Sequence, residues 1–109
     1  MLNLNLVRSD DVLVAIHTGM PVYDGFGERI GTVKYSQFAD NSVDGYIYVE
    51  DQRVRNSPEP LRRQLLHTGY VCIHTGLLSP DRFATTDQIS DVSDSGVLLY
   101  ADRDDLVTI

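Results

Sequence analysis

All three histidines of this chain open the same tripeptide: His17-Thr18-Gly19, His67-Thr68-Gly69 and His74-Thr75-Gly76. Imidazole is a common metal ligand and titrates close to neutral pH, so clustered histidines could hold a transition metal or move a proton. Along a strand Cys72 and His74 share a face, because side chains alternate with a period of two. The similar surroundings of His17 and His74 could bring those two together as well. His17, Cys72 and His74 therefore form one candidate ligand cluster, for a metal or a small molecule. Spacing argues against it: neither His-x-x-x-His nor Cys-x-x-Cys occurs in the chain. Thr-Gly marks the end of an element in each case, and His67 falls in a last helical turn, where a cation is favoured.

Other reactive residue types fare no better. Cys72 stands in Tyr70-Val71-Cys72-Ile73, a strand interior, whereas a nucleophilic thiol needs a base and an exposed, electropositive setting. A buried small hydrophobe is the better reading. The pairs Asp10/Asp11 and Asp104/Asp105 lack the alternating carboxylates of a calcium loop. Gly25 and Gly27 lack the remainder of a phosphate-cradling loop. The expectation is no catalytic residue, no metal and no cofactor.

Tyr46 and Tyr48 belong to an alternating stretch, Gly45 to Glu50. With Ile47 and Val49 turned to the core, both tyrosines stand on the outer face. Tyrosine is enriched at interfaces, which makes the pair a candidate interaction surface. The structural alternative is a cross-strand aromatic pair covered by a helix.

These residues need elements to position them. Val12 to Ile16 is a short apolar run with β-branched residues and reads as a buried strand. Met20 to Tyr23 reads as another, with Pro21 placing it at an edge or at its start. Asp24-Gly25-Phe26-Gly27 supplies a turn with two glycines available for positive φ, and Arg29 to Tyr35 returns. Ile30 and Val33 are both core candidates although three positions apart, which calls for a bulge at Gly31. After a polar loop over Asp51 to Asn56, Ser57 as N-cap and Pro58 at the first helical position open a helix over about 57–68. Its stripe is Leu61, Leu65 and Leu66. Strands follow at Tyr70 to His74, Arg82 to Thr85, Gln88 to Val92 and Val97 to Tyr100. A turn over Asp102 to Leu106 then leads to a loose tail.

At 109 residues one domain is expected. Nine basic against sixteen acidic residues give a net charge of −7, which disfavours nucleic acid. The lone Cys72 excludes an internal disulfide framework and fits a reducing, cytoplasmic setting. Met1 to Val7 lacks the features of a signal peptide, and no apolar run is long enough for a membrane span. Ile16-His17-Thr18-Gly19-Met20 recurs as Ile73-His74-Thr75-Gly76-Leu77, a hint of two related sheet units.

Gly19-Met20-Pro21-Val22-Tyr23-Asp24 with Gly27 and Ile30-Gly31-Thr32-Val33 resembles the opening hairpin of the PRC-barrel family. Gly76-Leu77-Leu78, Asp81-Arg82-Phe83, Gln88 to Val92 and Val97-Leu98-Leu99 resemble its later segments. The chain departs from the family at Thr85 and Thr86, where a proline is common, and in the insert from Asp51 to Leu66. The resemblance implies a mainly β, strongly bent small barrel spanning residues 1–109, with its core over about 12–106 and one short helix inserted between its halves. It implies a non-enzymatic assembly module of the kind found in photosynthetic reaction centres and ribosome maturation factors. Such a module binds protein, either a second copy in a homo-oligomer or a partner in a larger complex.

Overall fold

Leu13 and Ile16, three positions apart, are both buried, while Val14 between them is exposed. That spacing belongs to a helix. In the computed structural model, which describes residues 9–39 and 50–109 (only the backbone of 9–11), helix α1 covers Ser9–Val14. The expected strand over Val12 to Ile16 is thus a helical turn. A run of five apolar residues satisfies either pattern, and packing of Leu13 and Ile16 against the sheet decides for the helix. Tyr46, Tyr48 and the strand expected around them lie outside the described residues.

Six strands form one sheet: β1 (Pro21–Tyr23), β2 (Arg29–Gln37), β3 (Tyr70–His74), β4 (Arg82–Thr85), β5 (Ile89–Ser93) and β6 (Gly96–Leu99). Their order is β4-β3-β2-β1-β6-β5. All neighbours are antiparallel except β1 and β6, which run parallel. The domain is mainly β, and its sheet is open: no ladder joins β4 to β5 among the described residues. Of the recurring segments, Ile16 to Met20 lies between α1 and β1, whereas Ile73 and His74 end β3. Strands β1 and β2 pair with each other, whereas β4 and β5 lie at opposite ends of the sheet.

The β1–β2 hairpin is held by Asp24. Its carboxylate accepts hydrogen bonds from the backbone N–H groups of Phe26 and Glu28, both at 2.9 Å. Its carbonyl accepts the Gly27 N–H, also at 2.9 Å. This is the local competition by which aspartate specifies a turn. Gly27 adopts φ +84°, as expected. Gly25 does not have positive φ; a Cβ there would lie 2.5 Å from the Tyr100 carbonyl oxygen, so close approach selects glycine instead. Pro21 begins its strand, where its missing N–H costs no ladder bond.

Two bulges shape β2. Val22 opposes Gly31 and Tyr23 opposes Arg29, which leaves Ile30 as the extra residue. Ile30 packs on the cluster that contains buried Val33, so the bulge beside Gly31 reconciles their three-residue spacing. On the other side Val33 opposes Ile73 and Tyr35 opposes Cys72, with Lys34 left over. Regular alternation would put Val33 and Tyr35 on one face. The extra residue moves Tyr35 to the opposite face, which positions the site described below.

The sheet is covered on both faces. Alternation along β3 sends Val71 and Ile73 to a cluster with Leu13, Ile16, Val22 and Leu99, among others. Tyr70 and Cys72 go to a second cluster with Val54, Leu65, Leu66 and Phe83. The second cluster lies under the segment between β2 and β3, which holds helices α2 (Gln52–Arg55) and α3 (Glu59–Thr68). The polar loop expected over Asp51 to Asn56 is therefore a helical turn with Val54 fully buried. The N-cap of α3 is Pro58; Ser57 instead donates its hydroxyl to the Val54 carbonyl at 2.7 Å. At the C-terminal end, Leu106 is buried and Val107 exchanges two backbone hydrogen bonds with Phe83 (2.8 and 3.2 Å). The tail is docked on the outer edge of β4, where a loose end was expected.

Candidate functional site

The second face of the sheet carries a chain of charged and phenolic groups centred on Arg53. Asp51 caps α2, accepting the Arg53 N–H at 2.9 Å. The same carboxylate receives the Arg53 guanidinium from Nη2 at 2.8 Å and from Nε at 3.1 Å. Arg53 Nη1 reaches Asp81 Oδ2 at 2.9 Å, just ahead of β4. Lys34, the bulge residue of β2, meets that oxygen at 3.0 Å, and His74 Nδ1 stands 3.5 Å from Asp81 Oδ1. The Tyr35 hydroxyl, delivered by the bulge, donates to Asp51 Oδ2 at 2.6 Å and lies 3.1 Å from the Tyr70 hydroxyl. The guanidinium carbon sits 5.2 Å from the centroid of the Phe83 ring.

The electrostatics follow from this wiring. Hydrogen bonds from Arg53 hold Asp51 down at about 2, against the opposing effect of burial. Burial also works to raise Asp81, but the bonds from Lys34 and Arg53 outweigh it and leave its carboxyl below the ordinary range. Burial, then donation to Asp51, pushes the Tyr35 hydroxyl far up. Burial takes Tyr70 up to about 12. Cys72 lies 3.7 Å from Arg53 Nη2 and 3.8 Å from Asp81 Oδ2; burial, then the Asp81 charge, pushes its thiol up to about 11. Each carboxylate is engaged by cations, and neither the thiol nor the phenols are poised to ionise near neutral pH. The arrangement holds α2 against the β3–β4 hairpin and has no activated nucleophile.

Of the residues singled out from the sequence, Cys72 and His74 do come to one place, joined through Asp81. His17 does not: it is exposed after α1, where its backbone N–H meets the Met20 sulfur at 3.1 Å. Among the described residues no three His, Cys, Asp or Glu side chains are arranged to hold a metal. None of Tyr35, Asp51, Arg53 and Asp81 was expected from the sequence as a site residue. Cys72 is fully buried. A thiol reagent at pH 8 should therefore modify none of it in the native protein and one equivalent after denaturation. Stoichiometric labelling of folded protein would show that the thiol is accessible.

The residues open to solvent tell a different story. Leu77 and Leu78 are 95% and 101% exposed, and Phe26 81%. Both leucines sit in the β3–β4 loop on a pinned turn. Ser79 N–H donates to the Gly76 carbonyl at 3.3 Å, the Thr75 hydroxyl donates to the Pro80 carbonyl at 3.0 Å, and Asp81 is anchored as above. Phe26 tops the β1–β2 turn. The sheet edges are less available: Val107 covers β4, while β5 carries an extra residue at Ser90 and exposed Asp91, features that discourage strand pairing. Among the described residues no helix is long and apolar enough to cross a membrane. Comparisons with models of known protein families, with curated proteins and with solved structures give no match to this chain.

Proposed function

We propose that this chain is a non-enzymatic β-sheet module of PRC-barrel type, which acts in the cytoplasm by binding protein, through self-association or within a larger complex. The observation that carries the reading is the pair Leu77–Leu78, fully exposed on a turn tied down at both ends. Two leucines held in water contribute nothing to the core, and a preorganised apolar tip loses little entropy when it enters a partner's pocket. The saturated Arg53 network supports the non-enzymatic half of the proposal, because its charges are spent on one another. The three bulged strand pairings support a strongly bent sheet, as in the family that the opening hairpin resembles.

The test is the double variant Leu77→Ser/Leu78→Ser. Its unfolding free energy should stay within about 0.5 kcal/mol of the parent, since exposed side chains away from caps and networks contribute little. Its particle size on mild lysis of the source cell should fall to that of the free chain, while the parent migrates as a larger species. Identical migration of parent and variant would overturn the proposal.

A further inference from the structure

Helices α2 and α3 cover only part of the second sheet face. The cluster beneath them draws on β2, β3 and β4 and contains no residue of β1, β5 or β6. Over those other strands the pairing registers define one row. Arg29 on β2 opposes Tyr23 on β1, Tyr23 neighbours Leu98 on β6, and Leu98 opposes Asp91 on β5. Cross-strand partners share a face. The adjacent row, with Val22 and Val97, is buried in the first cluster, so this one points the opposite way. It is open to solvent: Arg29 and Asp91 are exposed, Leu98 is 37% exposed and Tyr23 is half-buried. Among the described residues neither the Arg29 guanidinium nor the Asp91 carboxylate forms an ion pair.

A row that runs cation, tyrosine, leucine, carboxylate is its own complement. A two-fold axis along the strands, between β1 and β6, sets the partner's Asp91 over Arg29 and the partner's Leu98 over Tyr23, and the reverse. We infer that this face pairs with the same face of a second copy of the chain, sheet on sheet, in that register. The two tyrosine–leucine contacts bury apolar surface, and the two ion pairs fix the register. The row spans three strand spacings, about 14 Å, which places the contact in the small, reversible class of interfaces. A net charge of −7 on each chain opposes approach at long range. At about 0.15 M salt, screening beyond about 8 Å removes most of that repulsion while the close pairs persist. This surface is separate from the leucine tip and goes beyond the reading built on it.

Sedimentation velocity on the purified chain, from micromolar to millimolar concentration, tests this by charge exchange. The parent is expected to dimerise reversibly. Arg29→Asp and Asp91→Arg each place two like-charge pairs in the dimer and should weaken it at least about tenfold. An equimolar mixture of these two variants sets an acidic face against a basic one and should restore the dimer. The double variant Arg29→Asp/Asp91→Arg should recover it alone. Urea midpoints of all three should match the parent, because neither side chain is tied into the fold. A parent that stays monomeric throughout would overturn the inference, as would a dimer insensitive to both single variants or a mixture that fails to recover. A dimer lost only in Leu77→Ser/Leu78→Ser would assign self-association to the leucine tip and overturn the sheet-face pairing alone. A charge-controlled dimer whose leucine variant leaves the cellular particle unchanged would overturn the tip alone, so the two readings fail separately.

Discussion

Gly31→Ala is expected to destabilise the domain by about 3 kcal/mol, at the upper end of what overpacking costs. A Cβ at this position would lie 2.2 Å from the His74 carbonyl oxygen, 3.0 Å from its carbon and 3.1 Å from the Ile73 side chain. The first two are backbone atoms, so no rotamer change relieves the contact. Strand β2 must lift from β3, which breaks the Thr32–His74 pairing and disturbs the bulge that brings Ile30 to the core. Gly27→Ala provides the contrast. Nothing lies within 4 Å of its Cβ, and only φ +84° is strained, at a cost of about 1 kcal/mol. Urea unfolding of the two variants decides the matter. Equal losses would show that β2 and β3 do not approach this closely.

Arg53→Ala is expected to cost about 2 kcal/mol. Removing one member of a fully buried ion pair costs about 3–5 kcal/mol because the other is left uncompensated. Here the carboxylates of Asp51 and Asp81 are mostly buried, but the Arg53 side chain is 37% exposed, so water offsets part of the loss. The pH dependence identifies the cause. Asp51 titrates at about 2 in the folded chain against an ordinary 3.8, and Asp81 is likewise lowered. Carboxyls depressed by folding stabilise the native state above their unfolded values, and that contribution fades as pH falls towards the folded ones. The parent should lose stability between about pH 4 and 2, and the gap between parent and Arg53→Ala should close over the same range. A gap that stays constant down to pH 2 would mean that Arg53 acts by packing on Phe83 and not by charge.

How much of this was legible in the sequence depended on the range of the interaction. The Asp24 turn, the bulge beside Gly31 and strands β3 to β6 are written in local chemistry: turn residues, glycine and alternation. Helix α3 was visible from its leucine stripe and its prolines, although Ser57 turned out to bond to the Val54 carbonyl and not to cap α3. Val12 to Ile16 misled because β-branched residues favour strands while burial at Leu13 and Ile16 follows the helical period. The charged network could not be read at all. Asp81 lies 28 residues from Arg53 and 47 from Lys34, and no local pattern announces a pairing over such distances. Tyr35 was hidden by the second bulge, since Val33 and Tyr35 two positions apart look like neighbours on one face. The Leu77–Leu78 tip was read as part of a resemblance; only the structure places both side chains in water.

The central claim, that this end of the sheet exists to bind another protein, is tested most directly by a photo-crosslinking residue at position 78 in living cells. Position 95, on the exposed β5–β6 turn at Ser95, serves as the control. The account predicts a discrete protein adduct from position 78 that is absent from position 95. No adduct at position 78, or the same diffuse products from both, would contradict it.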